Sequence, residues 1–149
     1  SQKSFISSTF WSDRIGPAAG LATLKEMERT RSWEDITQKG LKFRRDLMKI
    51  SSSNHVKIDI LGLPSLTTFK FRKNHEIYKT FLTQEMLKKN ILATNSLYLS
   101  ICHDNKKLKV YLNEINTIFK KIKNYEKKGI DPMGLLEVPI ASTTFKRLN

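Results

Sequence analysis

Val56-Lys57-Ile58-Asp59-Ile60-Leu61-Gly62-Leu63-Pro64-Ser65-Leu66-Thr67-Thr68-Phe69-Lys70-Phe71-Arg72 decides the fold. Val56, Ile58 and Ile60 alternate with Lys57 and Asp59, a period of two that lines one face of a half-buried strand. Gly62, Leu63 and Pro64 break the run, and Leu66 to Arg72 resumes it with Thr67, Phe69 and Phe71 on a common face. Two such runs joined by a turn predict a hairpin.

Downstream, Asn74 is placed to cap a helix over 75–89 with Tyr78, Phe81, Leu82, Met86 and Leu87 on its apolar stripe. Leu97, Leu99 and Ile101 then alternate with Tyr98, Ser100 and Cys102, which predicts a third strand beside the hairpin and a core position for the cysteine. Asp104 opens the longest helix, whose apolar residues from Leu108 to Tyr125 keep the helical period until Gly129 stops it. The tail 130–149 has Asp-Pro and Val-Pro breaks and no period, so it is expected to lie over the surface.

Upstream, Ser32 and Asp35 form a capping pair ahead of a helix over 33–51, and Ser51 to Asn54 read as the polar turn that ends it. A further helix is predicted over 15–30, with Ser12 and Asp13 as caps and Pro17 in its first turn. Gly16, Ala18, Ala19, Gly20 and Ala22 leave its first half nearly without bulk, so another backbone can approach it closely. The fold class expected is α+β: an antiparallel sheet of about three strands with helices on one face, preceded by a helix that docks elsewhere.

The chain has 149 residues and a formal charge of +13, and 20 of its 27 basic residues are Lys. Lysines spread over helix faces, without interleaved exposed aromatics, read as solvated surface, so nucleic acid is not expected as a partner and a basic polyanion-binding module is the alternative. No run approaches the roughly 18 apolar residues of a membrane span, and Ser1 to Thr9 lack the pattern of a signal peptide, so a soluble, cytoplasmic protein is expected. One cysteine and three scattered histidines leave no zinc spacing, and no metal site is expected. Cys102 and His103 are strand neighbours whose side chains should diverge, so no catalytic residue is assigned. Ser7, Ser8 and Thr9 set three hydroxyls before a helix, a composition suited to holding a phosphate or to capping.

The string Phe5-Ile6-Ser7-Ser8-Thr9-Phe10-Trp11-Ser12-Asp13-Arg14-Ile15-Gly16-Pro17-Ala18-Ala19 resembles the stretch that follows the cofactor lysine in class III aminotransferases, particularly the glutamate-1-semialdehyde 2,1-aminomutase-like branch. The likeness continues through Ala22 to Glu28, Gly62-Leu63-Pro64, Leu92 to Ser96 and His103-Asp104, covering about 5–128. The ending, from Leu135-Leu136-Glu137 to Asn149, resembles a sub-branch found with surface-polysaccharide biosynthesis.

The resemblance implies a pyridoxal 5'-phosphate enzyme that moves an amino group on a small molecule through a Schiff base, built from a large cofactor domain and a small C-terminal domain and working as a homodimer. It implies that 1–31 ends the large-domain region, that 32–129 is the small domain and that 130–149 is the tail. The Schiff-base lysine is implied to lie upstream, so this chain by itself is expected to be inactive. The family threonine that meets the phosphate of the neighbouring subunit's cofactor matches Thr9, with Ser8 beside it, while a longer spacing to Pro17 makes Ser12 a second candidate. Thr94 to Asp104 contains no Arg of the kind that grips a substrate carboxylate in many members. That points to the aminomutase-like branch or to a sugar aminotransferase, with Asn95 and Ser96 as candidate substrate-binding residues.

Overall fold

A computed structural model describes residues 12–141; Ser8 and Thr9, assigned above to the cofactor phosphate, lie outside them. The chain divides into two compact units between Trp33 and Glu34.

In the first unit, α1 (Ile15–Thr30) has the predicted bounds and no buried residue. Asp13 rather than Ser12 serves its start, Oδ1 accepting the Ile15 N–H at 2.9 Å. Glu26 and Arg29 pair one turn apart at 2.5 Å, and Arg31 closes the helix in the left-handed region at φ 47°. Ile15, Leu21, Leu24 and Met27 are all solvent-facing.

In the second unit, β1 (Ile58–Leu61), β2 (Leu66–Phe71) and β3 (Ser96–Tyr98) form an antiparallel sheet with β2 in the centre. Ile58 pairs with Phe71 and Ile60 with Phe69, so the apolar residues of the hairpin share one face. Thr67, Phe69 and Phe71 are all fully buried, as the period predicts. The helices α2 (Ser32–Asn54), α3 (His75–Leu87) and α4 (Asn105–Lys128) supply the rest of the core. Phe43 and Leu47 come from α2, Tyr78, Phe81, Leu82 and Met86 from α3, and Ile115, Phe119 and Ile122 from α4. Asp104 caps α4 by accepting the Lys107 N–H at 2.7 Å, which holds its carboxyl below the ordinary range, and Gly129 ends the helix at φ 64°.

Gly40 sets the approach of α2 to the hairpin turn. A Cβ there would collide with the Pro64 carbonyl, and one helical turn later Arg44 spans the same turn, donating to the Gly62 carbonyl at 2.7 Å and to Thr67 Oγ1 at 2.9 Å. Gly62 itself sits at φ +80°, a conformation that favours glycine.

Four expectations need correction. Ser51 to Asn54 continue α2 instead of ending it. Ser51 Oγ donates to the Val56 carbonyl at 2.6 Å, and the Asn54 side-chain amide donates to the Ile50 carbonyl and to Asn116 Oδ1 on α4, both at 2.8 Å. These bonds offset the weak helix propensity of the Ser-rich run. The third strand stops at Tyr98 and Cys102 is exposed, because the chain turns at Ser100, whose N–H bonds His103 Nδ1 at 3.0 Å. Asn74 precedes α3 in a left-handed conformation without a side-chain capping bond. The tail is mostly exposed, but a 3-10 turn at Pro132–Leu135 puts Leu135 into the core.

A polar row along α3 and its C-cap, at steps of four, holds that tail. Thr80 Oγ1 accepts the Ala141 N–H at 3.0 Å, Gln84 accepts the Glu137 N–H at 2.7 Å and donates to the Leu135 carbonyl, and Lys88 pairs with Glu137 at 2.5 Å. Between them Glu85 lies 9% exposed and meets both Lys88 and Lys121. Burial works to raise the Glu85 pKa, but hydrogen bonds from Lys121, Lys88 and Gln84 prevail and hold it at about 2, against 4.5 for a free side chain.

A carboxyl with a depressed folded pKa stabilises fully above its unfolded value and loses that contribution as pH falls through the folded one. Unfolding free energy is therefore expected to decline between pH 4.5 and pH 2 through this group, by about 1–2 kcal/mol given the half-exposed lysines. Urea unfolding across that range should show a shallower decline for Glu85→Gln; an unchanged slope would remove Glu85 from the account.

Candidate functional site

Of the residues assigned from the sequence, those among the described residues fall in two places. Ser12 precedes α1 in an exposed turn. The Asp13 carboxylate already accepts the Ile15 N–H at that helix start, and Pro17 has no N–H to offer. An anion there would face a like charge, so the described residues do not by themselves make a cradle for the cofactor phosphate.

Asn95 and Ser96 stand together at the start of β3. The Asn95 side-chain amide donates to the Phe69 carbonyl at 2.8 Å while the Asn95 backbone carbonyl accepts the Phe69 N–H at 2.9 Å, and Ser96 Oγ lies 2.9 Å from Thr68 Oγ1. Both residues thus hold the β2–β3 edge. Beside them a cleft of about 540 Å³ opens between β3 and α4. Leu92, Leu97, Val110 and Tyr111 form its apolar wall, with His103, Lys106 and Lys107 at the rim. Leu92 is 89% exposed, and the Tyr111 hydroxyl donates to the Thr94 carbonyl at 3.4 Å. Burial pushes the Tyr111 phenol up to about 12, so it stays a hydrogen-bond donor at neutral pH.

A second cleft, of about 310 Å³, lies at the Phe71 end of β2, among His55, Arg72, Tyr78 and Glu126. Arg72 is committed to Asp59 Oδ1 at 2.7 Å, and Arg44 to the hairpin turn, so neither guanidinium stands ready for a substrate carboxylate. Tyr78 donates to Glu126 at 2.9 Å, and its phenol is raised to about 12 by burial, Asn74 opposing and Glu126 reinforcing. Sequence periodicity placed Tyr78 in the core and did not reveal this polar contact, which depends on α3 meeting α4. Among the described residues no group of three or more His, Cys, Asp or Glu side chains is placed to hold a metal, and no helix is long and apolar enough to cross a membrane.

No known protein-family profile matches the chain. Over 105 residues it is 27% identical to the 3-aminobutyryl-CoA aminotransferase of Cloacimonas acidaminovorans (strain Evry), a match spanning 68% of this chain and 25% of that protein. Among solved structures it superposes on the PLP internal aldimine form of the FumI protein of Sphingopyxis sp. MTA144, with a TM-score of 0.74 and 17% identity. The chain has the fold of one part of that protein. The superposition takes in 91% of this chain and 33% of FumI, so the chain spans about a quarter to a third of the length of the proteins it matches.

Proposed function

We propose that this chain is the small lobe of a pyridoxal-phosphate-dependent aminotransferase of the class III type, in the glutamate-1-semialdehyde aminomutase-like branch. The observation that carries this reading is the superposition of nearly the whole chain on part of a PLP-bearing protein, together with sequence likeness to an aminotransferase. When bound, the cofactor ring supplies the electron sink for moving an amino group. In this reading the lysine that anchors the cofactor and the acid facing its ring nitrogen belong to a large lobe, and this chain supplies positioning.

Thr9 and Ser8 are assigned to the cofactor phosphate of a partner subunit in a homodimer, with Ser12 as the nearest alternative. The exposed, small-residue first half of α1 is assigned to docking on the large lobe. Asn95 and Ser96 hold the sheet edge next to the cleft at β3, on the substrate side. The absence of Arg between Thr94 and Asp104 favours a small amino substrate without a free amino-acid carboxylate, and a sugar aminotransferase of surface-polysaccharide biosynthesis is the runner-up.

Borohydride reduction of the 149-residue chain with pyridoxal phosphate tests the division of labour. The expected result is adducts scattered over surface lysines without saturation at one position and without transamination. A single stoichiometric adduct that supports amino transfer would overturn it.

A further inference from the structure

Helices α2 and α4 run side by side in the same direction. The Phe43 and Tyr111 rings meet tilted, 5.9 Å between centroids, and Asn54 bonds Asn116 at 2.8 Å, so rising residue numbers on one helix match rising numbers on the other. Between them lies a groove of about 470 Å³, continued past Lys49 and Ile50 by a second hollow of about 520 Å³. From Lys39 to Asn54 its α2 wall runs roughly 22 Å at the helical rise per residue.

The floor is apolar, with half-buried Ile50 and Leu112 as its accessible part over the buried Phe43 and Leu108, and the rim is cationic. Lys42 and Lys49 stand two turns apart on the α2 side, and Lys109, Lys120 and Lys123 line the α4 side. Asp46 is the one acidic residue in either lining. Lys49 meets Asp46 at 3.7 Å and Lys39 meets Asp35 at 2.6 Å, while among the described residues no carboxylate pairs with Lys42, Lys109 or Lys120.

We propose that this groove docks an acidic amphipathic helix of about four turns, its apolar ridge on the floor and its carboxylates against the lysine rim. Charge complementarity selects the sign of the partner, and the length and apolar floor select its shape. Single-stranded nucleic acid fits less well, since Phe43, the aromatic residue of the floor, is 1% exposed and offers no stacking platform. The groove is built from α2 and α4 alone, so the inference stands independently of the pyridoxal reading.

The test is fluorescence anisotropy of the full chain with a labelled peptide of about 16 residues, carrying Glu on both flanks of a Leu ridge, at physiological salt. A scrambled peptide of equal charge, a DNA duplex and anionic phosphatidylglycerol vesicles are run in parallel. Saturable binding of the amphipathic peptide is expected, weakened about tenfold or more by Lys49→Glu with Lys109→Glu. The charge-matched pair Lys89→Glu with Lys127→Glu, outside the groove, should leave it unchanged. Equal binding of the scrambled peptide, equal loss with the control pair, tighter groove-dependent binding of DNA or vesicles, or no saturable binding would each overturn the proposal.

Discussion

Gly40→Ala is expected to destabilise the second unit by at least ~3 kcal/mol, the reverse of what helix propensity dictates. In an exposed helix interior the same change gains about 1 kcal/mol, because alanine loses less backbone freedom on folding. At Gly40 the added methyl meets the Pro64 carbonyl, which is backbone and cannot swing aside. The turn is further pinned by Gly62 at φ +80° and by three bonds from Arg44, to the Leu61 and Gly62 carbonyls and Thr67 Oγ1. To make room, α2 must leave the hairpin and Phe43 and Leu47 must leave the core with it. Gly16→Ala and Gly20→Ala on α1 are the controls, since nothing lies within 4 Å of either added carbon. Urea midpoints should drop sharply for the first variant and hold or rise slightly for the other two; a rise for Gly40→Ala would mean that α2 does not pack on the turn as described.

Phe71→Ala is expected to cost about 3–5 kcal/mol and to lower Tm by more than roughly 10 °C. Phe71 lies on the central strand, 1% exposed, with ring centroids at 5.6 Å from Phe69, 5.5 Å from Tyr78 and 5.6 Å from Phe119. It therefore touches α3 and α4 at once, and its loss leaves a cavity that neither helix can close without giving up its own ring contacts. A shift below about 1 kcal/mol would show that the hairpin does not hold the two helices together.

The elements read most easily were those whose pattern is local and whose burial is one-sided. The period of two in 56–72 placed Thr67, Phe69 and Phe71 inside because a one-residue slip would expose all three. Helix α4 kept its period over 24 residues and carried both caps in sequence, Asp104 and Gly129. What escaped the sequence depends on distant partners. Ser51 to Asn54 look like a turn until Asn116 and the Val56 carbonyl are brought to them, and the tail looks aimless until Thr80, Gln84 and Lys88 line up along α3 and its C-cap. Cys102 alternated correctly with its neighbours yet is exposed, since alternation persists where strand pairing has ended.

The candidate site was less legible than the fold. Asn95 and Ser96 do stand together, but their hydrogen bonds go to Phe69 and Thr68, contacts that no local pattern records. The lysine groove escaped for a similar reason: each Lys on its own helix reads as solvated surface, and only the side-by-side placement of α2 and α4 gathers them over a common apolar floor.

The proposed function makes this chain a positioning lobe for chemistry carried by other residues. Reading the coding frame immediately upstream of Ser1 tests that most directly. The account predicts a continuous frame encoding a larger domain with a cofactor-anchoring lysine not far ahead of Phe5. A start codon directly before Ser1, with the resulting product active unaided, would contradict it.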